Sequence, residues 1–359
     1  MKKKLFLITL IIFSVAFVFS CEKGKDAYGT GSTNTGGGNQ EKPEEPIDDS
    51  SKVVLAYVTS WSSIMPDPNY VTHINYAFGH VNETFNGVTI DNEARLRSIA
   101  DLKKGKSSLK VILSIGGWES GGFSEMAMTE STRKSFATDC KRVIDQFNLD
   151  GIDIDWEYPT SSDAGISSSP KDKDNFNLLM QEIRDAIGKN KYLSFASTAD
   201  AKYYDLKDLV NIVNFVNIMM YDTDNPPYHQ SALHRSGMVR NISADEAINK
   251  HIAGGMPAKK LILGIPFYGR GTGGTTVAYK DISQLLAQGD LEKWDDVAKA
   301  PYLENATGET VFVYDNAQSI GFKCEYLLQQ GLRGAMYWEY SQDDSEGTLR
   351  KAVWNGIMK

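Results

Sequence analysis

The sequence DGIDIDWE, at residues 150–157, alternates acidic and apolar side chains. Asp153, Asp155 and Glu157 are spaced by two, and successive side chains of a β-strand point to opposite faces. The stretch is therefore predicted to form a strand with three carboxylates on one face and two isoleucines and a tryptophan on the other. Because unpaired buried charges are very costly, these acids must meet hydrogen-bonding partners, a metal or a substrate.

Two structural alternatives compete with a catalytic role for this acidic strand. The carboxylates could hold a hard cation such as Ca²⁺ or Mg²⁺, although ligands along one straight strand wrap an ion poorly. The stretch could also be an edge strand with a solvated acidic face, although the apolar residues opposite the acids indicate packing. Both alternatives stay open at this point.

The rest of the chain repeats one structural unit. Short β-rich runs alternate with amphipathic segments, which is typical of βα units around a parallel sheet. Helices are predicted between the runs, for example over residues 131–147 and 173–187. Eight such units close into a barrel, so the 359-residue chain is predicted to have an α/β fold, the (β/α)8 TIM barrel. The eight runs are residues 53–58, 73–79, 110–116, 151–157, 192–197, 215–221, 261–268 and 334–340.

Polar and aromatic residues gather at the ends of these runs, where barrel enzymes place their chemistry. The third run leads into SIGGW (114–118), the sixth into MMYD (219–222) and the eighth contains YWE (337–339). The seventh leads into GIPFYGR (264–270). Taken singly, the glycine pair could form only a tight turn, and the tryptophan could pack in the core. Their joint occurrence at predicted strand ends favours one shared site.

The pattern D-x-x-D-x-D-x-E closing the fourth run, together with these motifs, resembles the family 18 glycoside hydrolases and in particular their chitinases. The resemblance covers most of residues 51–359, which are identified as a catalytic barrel of this type. In many such chitinases a small α+β module lies between strand 7 and helix 7. Residues 271–317 occupy this place and are shorter than the full module. We therefore expect a reduced insertion and no deep, tunnel-like cleft.

Cleavage of a glycosidic bond requires a protonated carboxyl group, whose pKa is raised by burial or by a neighbouring negative charge. Glu157 is predicted to be this acid, with Asp155 as the neighbouring charge, and Asp153 is expected to share a proton with Asp155. The resemblance implies a substrate-assisted reaction, in which the sugar's own 2-acetamido group attacks the anomeric carbon. It also implies that Asp155 binds the acetamido N–H and that Tyr221 donates a hydrogen bond to the acetamido oxygen.

The resemblance further implies which residues bind the sugar. Trp338 is expected to form the floor beneath the cleaved sugar and Trp118 to line the leaving-group side, since apolar sugar faces stack on aromatic rings. Arg270 is expected to pair with Asp222. No metal site and no cofactor motif is predicted. The other substrate-binding residues implied by the resemblance are Met219, Gly117, Phe78, Tyr158 and Tyr268.

The predicted function is the retaining endo-hydrolysis of β-1,4-linked N-acetylglucosamine. The formal net charge of −8 argues against a nucleic-acid partner and suits a neutral polysaccharide or oligosaccharide. Two alternatives stay open. One is an endo-β-N-acetylglucosaminidase that cuts the chitobiose core of N-glycans by the same chemistry. The other is a non-catalytic lectin on the same barrel, although such lectins typically lack the acid that is present here as Glu157.

The amino-terminal residues are predicted to direct export. Three lysines precede an apolar stretch at residues 5–19, so residues 1–20 are interpreted as a signal peptide. The sequence VFSC, at residues 18–21, resembles a bacterial lipoprotein cleavage box, in which Cys21 is lipidated. Plain secretion, with a coincidental cysteine, is the alternative.

Residues 21–50 are rich in Gly, Ser, Thr, Glu and Pro and are predicted to be a flexible tether. The expected protein is an exported, membrane-anchored bacterial lipoprotein, in the cell envelope or on the cell surface, that acts as a monomer. Cys140 shares a predicted helical face with apolar residues and is expected to be buried. A disulfide between Cys140 and Cys324 stays open.

Overall fold

The computed structural model describes Ile47 and residues 50–359. The predicted signal peptide, Cys21 and nearly all of the predicted tether lie outside the described residues. Within the part of the chain that is described, no helix is both long and apolar enough to cross a membrane.

The β-strands of the described residues form two sheets. The larger sheet contains eight parallel strands in the order β1-β14-β8-β7-β6-β5-β4-β2, and β1 also pairs with β2, so the ring closes. The predicted (β/α)8 TIM barrel is therefore confirmed. The strands are β1 (Val53–Thr59), β2 (His73–Val81), β3 (Val88–Ile90), β4 (Lys110–Gly116), β5 (Gly151–Asp155), β6 (Tyr192–Thr198), β7 (Phe215–Met219), β8 (Leu261–Pro266), β9 (Tyr268–Gly271), β10 (Thr276–Ala278), β11 (Leu291–Asp295), β12 (Ala300–Glu304), β13 (Thr310–Val313) and β14 (Gly334–Trp338).

The helices surround the barrel, and the two helices predicted over residues 131–147 and 173–187 are confirmed to within one residue. The Thr129 side chain caps the amino terminus of α3 by accepting a hydrogen bond from the Thr132 amide, and left-handed Asn148 ends this helix. The helices are α1 (Glu93–Asp101), α2 (Phe123–Met128), α3 (Glu130–Phe147), α4 (Asp172–Ile187), α5 (Leu206–Leu209), α6 (Ala244–Ala253), α7 (Ile282–Ala287), α8 (Ala317–Gln329) and α9 (Thr348–Ile357).

The core has two layers, as expected for a barrel inside a ring of helices. In β5, Ile152 and Ile154 point outward into the apolar layer beneath the helices. Trp156, just beyond the strand, joins that layer and stacks on Phe123 at 5.3 Å between ring centroids. Asp153 alternates with these residues and is completely buried on the inner side. The predicted separation of acidic and apolar faces is therefore confirmed.

A second, smaller sheet lies between β8 and α8 along the chain. It is antiparallel, with the order β10-β9-β13-β12-β11, and has its own apolar cluster around Leu303 and Phe312. With helix α7 it forms the predicted α+β insertion after strand 7 of the barrel. The small sheet begins at Tyr268, three residues before the predicted boundary at residue 271.

Four strands of the barrel, β5, β7, β8 and β14, end two residues earlier than the runs predict. The fourth run was expected to reach residue 157 and the sixth residue 221, but β5 ends at Asp155 and β7 at Met219. The backbone leaves the parallel ladder at this edge: the amide of Met220 donates to the carbonyl of Ile218 instead of to a neighbouring strand. Glu157 and Tyr221 therefore lie on the loops that follow the strands.

Candidate active site

An open cleft of about 1140 Å³ lies at the carboxyl ends of the barrel strands. Most of the predicted site residues line it. Asp153 lies beneath the cleft rather than on its surface, and at the glycine pair the lining residue is Gly116 rather than Gly117. The predicted residues on the surface of the cleft are Phe78, Trp118, Asp155, Glu157, Tyr158, Met219, Tyr221, Asp222, Tyr268, Arg270 and Trp338.

Asp153 is held by donors from four different strands. Tyr57 Oη and Ser114 Oγ donate to its Oδ2 atom at 2.9 and 2.8 Å. Ser194 Oγ and Asn217 Nδ2 donate to its Oδ1 atom at 2.6 and 3.1 Å. Burial raises the pKa of Asp153, and these hydrogen bonds oppose the rise by stabilising the carboxylate. The barrel therefore supplies every hydrogen bond that fixes this carboxyl group.

Asp155 has the opposite environment. Its Oδ1 atom is buried and has no hydrogen-bond partner among the described residues. Burial, followed by the negative charges of Glu157 and Asp153, raises the pKa of Asp155 well above its usual range. Since a buried, unpaired carboxylate oxygen is costly, Asp155 is the group that a ligand in the cleft can satisfy. Protonation is therefore more favourable on Asp155 than on Asp153, whose carboxylate is stabilised by four donors.

Glu157 lies half-buried where the chain leaves β5. The pKa of Glu157 is raised to about 7, mainly by burial; a hydrogen bond from Tyr158 lowers it, and the negative charge of Asp222 contributes to the rise. The charge of Glu157 in turn raises the pKa of Asp155, so the two carboxyl groups do not ionise independently. Asp222, which sequence reasoning placed among the substrate-binding residues, therefore also acts on the acid.

The segment after β7 brings Tyr221 and Asp222 into the cleft. The carboxylate of Asp222 accepts hydrogen bonds from Tyr268 Oη at 2.8 Å and from Arg270 Nε at 2.7 Å. A second Arg270 nitrogen lies 2.6 Å from the other Asp222 oxygen, so the predicted pair is present and bidentate. Tyr221 Oη has only a weak contact, at 3.9 Å, to the sulfur of Met336. The phenol of Tyr221 is therefore available to a ligand.

Trp338 belongs to an aromatic cluster at one side of the cleft. Its ring lies 5.6 Å from Phe78, in a stacked arrangement, and 5.5 Å from Tyr57. Trp61 extends the cluster at 6.4 Å from Trp338 and is 65% exposed. Sequence reasoning missed Trp61, although its place in the loop directly after β1 was a usable signal.

A second aromatic cluster surrounds Tyr158. The Tyr158 ring stacks on Tyr203 at 4.9 Å, and Trp118 meets Tyr158 edge-on at 6.4 Å. The ammonium group of Lys202 lies 4.7 Å from the Tyr203 ring. Trp118 is 56% exposed, so its ring is free to contact a sugar. Tyr203 and Lys202 were not predicted, because they follow β6, a strand for which no motif was recognised.

The donors around Asp153 were also missed, apart from Ser114 within its motif. Tyr57, Ser194 and Asn217 are polar residues inside otherwise apolar strands, which was a usable signal. Ser114 and Ser194 are the direct register partners of Asp153 on β4 and β6. Knowledge of the strand register would have placed both hydroxyl groups beside the carboxylate.

The cation-binding alternative is not supported by the ligands that are present. The carboxylate of Asp153 is already occupied by four hydrogen-bond donors, and such donors repel a metal ion. Within the described residues, no group of three or more His, Cys, Asp or Glu side chains is arranged to hold a metal. The solvated-edge alternative is wrong, because β5 pairs with β4 and β6 and Asp153 is buried.

The comparison with protein families agrees with this geometry. A model described as glycosyl hydrolases family 18 matches residues 53–343. The chain belongs to this family. Among curated proteins, Chitinase A1 of Niallia circulans is 31% identical to this family 18 member. The match covers 84% of the present chain and 58% of Chitinase A1. The chain is 25% identical to Chitinase B of Serratia marcescens over 83% of its length, and spans 80% of that protein.

Solved structures show the same likeness. A family 18 N-acetylglucosaminidase from Paenibacillus barengoltzii is 32% identical, with a TM-score of 0.78 over 86% of this chain and 100% of that chain. The group IV chitinase of Ostrinia furnacalis, solved in complex with allosamidin, is 25% identical, with a TM-score of 0.76 over 86% of this chain and 98% of that chain. This family 18 member therefore shares the barrel with proteins described as acting on chitin or on N-acetylglucosamine.

Proposed function

We propose that this family 18 member is a retaining, substrate-assisted endo-hydrolase of β-1,4-linked N-acetylglucosamine, in chitin or chitooligosaccharides. The observation that carries the proposal is the buried, unpartnered Oδ1 atom of Asp155 in the cleft. This atom is the acceptor that an acetamido N–H requires. Asp155 ends β5, two residues before Glu157, whose raised pKa suits an acid that must be protonated near neutral pH.

In the first step, Glu157 donates its proton to the oxygen of the leaving sugar as the glycosidic bond breaks. The carbonyl oxygen of the 2-acetamido group attacks the anomeric carbon and forms an oxazolinium ion. Asp155 accepts the acetamido N–H and stabilises the positive charge, while the Tyr221 hydroxyl donates to the acetamido oxygen and orients it. The open phenol of Tyr221 supports this role.

In the second step, water attacks the anomeric carbon from the side that the leaving sugar vacated. Glu157, now a carboxylate, accepts the proton of this water, so the acid of the first step is regenerated. The C–O bond to the acetamido group breaks and the electrons return to the acetamido carbonyl. Two inversions at the same carbon give retention.

The shape of the cleft supports an internal cut in a chain of several sugars. The cluster around Trp338 and the cluster around Tyr158 offer separate stacking surfaces. The cleft is open rather than enclosed, so a polymer can extend beyond the cleaved bond. The complete set of Asp153, Asp155, Glu157 and Tyr221 weighs against a non-catalytic lectin.

The proposal includes the cellular setting, which concerns residues outside the described part of the chain. The signal peptide at residues 1–20 and the box at residues 18–21 support export and lipidation of Cys21. The Gly- and Ser-rich residues 21–50 would then tether a monomeric catalytic barrel to a bacterial membrane.

The purified chain should be offered chitin oligosaccharides, cellulose oligosaccharides and an N-glycoprotein, with the products analysed by mass spectrometry. We expect short N-acetylglucosamine oligomers from chitin substrates and no product from cellulose, which lacks the acetamido nucleophile. Glycans released with one N-acetylglucosamine left on the protein would favour the glycan-cleaving alternative. Cleavage of cellulose would contradict the substrate-assisted mechanism.

Glu157→Gln provides the matching test of the acid. The amide has nearly the same shape but cannot donate the required proton, so kcat should fall by roughly 100- to 10,000-fold. Binding of chitooligosaccharides should persist, as measured by isothermal titration calorimetry. Glu125→Gln is the matched control, because Glu125 lies outside the cleft and accepts a hydrogen bond from Ser167. Unchanged turnover in Glu157→Gln would remove the assignment of Glu157.

A further inference from the structure

A buried chain of hydrogen bonds lies behind the segment that carries Tyr221. The carbonyl of Met220, directly before Tyr221, accepts a hydrogen bond from Ser231 Oγ at 2.7 Å. Ser231 Oγ in turn accepts a hydrogen bond from Lys323 Nζ at 2.7 Å. Met220, Ser231 and Lys323 are all buried, so water does not compete for these groups. The backbone position of Tyr221 is thereby connected to a lysine on α8.

All three N–H groups of the Lys323 ammonium have hydrogen-bond acceptors. Lys323 Nζ lies 2.7 Å from each carboxylate oxygen of Asp315, and neither side chain is exposed. Burial lowers the pKa of Lys323, and the charge of Asp315 opposes this change. The third N–H group of the ammonium serves Ser231. A buried pair of this kind is costly to desolvate and is favourable only when its remaining hydrogen bonds are made.

The direction of the hydrogen bonds follows from the donor and acceptor capacity of each group. An ammonium group can only donate, so Ser231 Oγ must accept from Lys323. The single proton of the Ser231 hydroxyl is then directed to the Met220 carbonyl, which can only accept. Lys323 thus sets the orientation of the Ser231 hydroxyl, and that hydroxyl fixes the peptide group that leads into Tyr221.

The residue that follows Tyr221 is held by the small antiparallel sheet. Asp222, directly after Tyr221, binds Tyr268 and Arg270 on β9. Asp315 follows β13, and its Oδ1 atom also accepts from Ser319 Oγ on α8 at 2.7 Å. The peptide before Tyr221 and the side chain after it are therefore both fixed, while the Tyr221 hydroxyl itself has only the weak sulfur contact.

We propose that Lys323 and Asp315 are positioning residues for Tyr221, acting through the Ser231 hydroxyl and the Met220 carbonyl. The inference rests on the proposed function, because it assigns the network to the step in which the Tyr221 phenol orients the acetamido oxygen. Loss of the network lets the segment shift without removing any group that contacts the sugar. Small displacements of a reacting group are expensive, up to roughly 100-fold per ångström.

The first comparison uses two serines that contact the same ion pair. Ser231→Ala removes the hydrogen bond to the Met220 carbonyl, whereas Ser319→Ala removes a contact to Asp315 and leaves that carbonyl untouched. On a chitooligosaccharide substrate, we expect Ser231→Ala to lower kcat by about 10-fold with little change in KM. Ser319→Ala should keep kcat, even where its melting temperature falls. Equal kcat in the two variants would overturn the inference.

The second comparison removes both charges at once. Lys323→Met alone would leave a buried, unpaired Asp315 and could fail to fold, so the variant to use is Lys323→Met with Asp315→Leu, which is electrically neutral. Circular dichroism and thermal melting verify that the barrel is formed. We expect this double variant to lower kcat by about 10- to 100-fold with little change in KM. An unchanged kcat in the folded double variant would overturn the inference.

A double-mutant cycle with Tyr221→Phe separates positioning from general destabilisation. If the network acts through the Tyr221 hydroxyl, Ser231→Ala should cost less than about 2-fold in kcat once that hydroxyl is absent. If Ser231→Ala lowers kcat equally with and without the Tyr221 hydroxyl, the inference is contradicted while the proposed function stands. A wild-type chain that fails to cleave any N-acetylglucosamine substrate would contradict the proposed function, and the inference with it.

Discussion

Glu157 must give up a proton in the first step of the proposed reaction and recover one from water in the second. A carboxyl group serves both steps best when its pKa lies close to the working pH. Burial and the charge of Asp222 bring the pKa of Glu157 to about 7. Below this pH the acid keeps its proton, and above it the protonated fraction falls about tenfold per pH unit. The basic limb of kcat/KM is therefore expected near neutrality.

Asp222→Asn tests the source of this shift. Loss of the negative charge favours the ionised form of Glu157, so its pKa should fall. Arg270, left without its carboxylate partner, acts in the same direction through its positive charge. We expect the basic limb of kcat/KM to move toward lower pH by about 1 unit, as measured from pH profiles on a chromogenic chitooligosaccharide.

Asp200→Asn is the control for that experiment. Asp200 also lines the cleft, but its charge is not among the causes that raise the pKa of Glu157. The basic limb should therefore stay in place when Asp200 is neutralised. A limb that stays in place in Asp222→Asn as well would mean that burial alone sets the pKa of Glu157.

At the scale of elements, a pair of glycines at the end of β4 lets this strand approach both Asp155 and the Phe78 ring. Gly116 has φ of 127°, and a Cβ atom there would lie 2.0 Å from the carbonyl oxygen of Asp155. Gly117 has φ of 94°, and a Cβ atom there would lie 2.7 Å from the Phe78 ring. Only glycine allows both the left-handed backbone and these close approaches. The glycine pair therefore lets β4 end against the acids and the aromatic cluster.

Gly117→Ala should damage both stability and substrate binding. The added methyl group strains the backbone and pushes Phe78 away from Trp338, and each effect typically costs about 1 to 3 kcal/mol. Gly165→Ala is the matched control, because Gly165 also has a left-handed φ of 73° but nothing within 4 Å of a Cβ atom. We expect a larger loss of unfolding free energy for Gly117→Ala, and a raised KM in that variant alone. Equal losses in chemical denaturation would show that the Phe78 contact adds nothing.

The sequence predicts the barrel strands well but not where they stop. Their β-rich composition and their alternation with amphipathic segments identify all eight, as expected for βα units around a parallel sheet. The β-rich pattern continues through Glu157 and Tyr221, although the backbone has already left the ladder. The seventh run passes through Pro266 from the barrel into the small sheet, ending at Tyr268. A local pattern cannot show this change of partner, since pairing is decided by distant strands.

Three of the four proposed catalytic residues could be predicted from sequence because they form a local motif, whereas the residues that support them are not local. Asp153 receives donors from β1, β4, β6 and β7, which only the closed barrel brings together. Lys323 is the extreme case. A lysine on an amphipathic helix is ordinarily assigned to the exposed face, and nothing nearby in sequence predicts that Ser231 satisfies it in the core.

At the scale of the whole molecule, the insertion supports the site as well as lining the cleft. Its first strand, β9, carries Tyr268 and Arg270, which bind Asp222. Asp315 follows β13, the last strand of the insertion along the chain, and binds Lys323. One end of the insertion therefore contacts Asp222 directly, and the other reaches the Met220 carbonyl through Lys323 and Ser231.

The proposed anchor can be tested by a single substitution, because the chain has three cysteines and two of them are free and buried in the barrel domain. Because Cys140 and Cys324 are buried, Cys21 is the proposed site of lipidation. We expect Cys21→Ser to abolish incorporation of an alkyne-labelled fatty acid in a bacterial host and to move the protein out of the membrane fraction. Cys140→Ala should retain the label. Label that persists in Cys21→Ser would contradict Cys21 as the site of lipidation, and a wild-type chain without label would favour plain secretion.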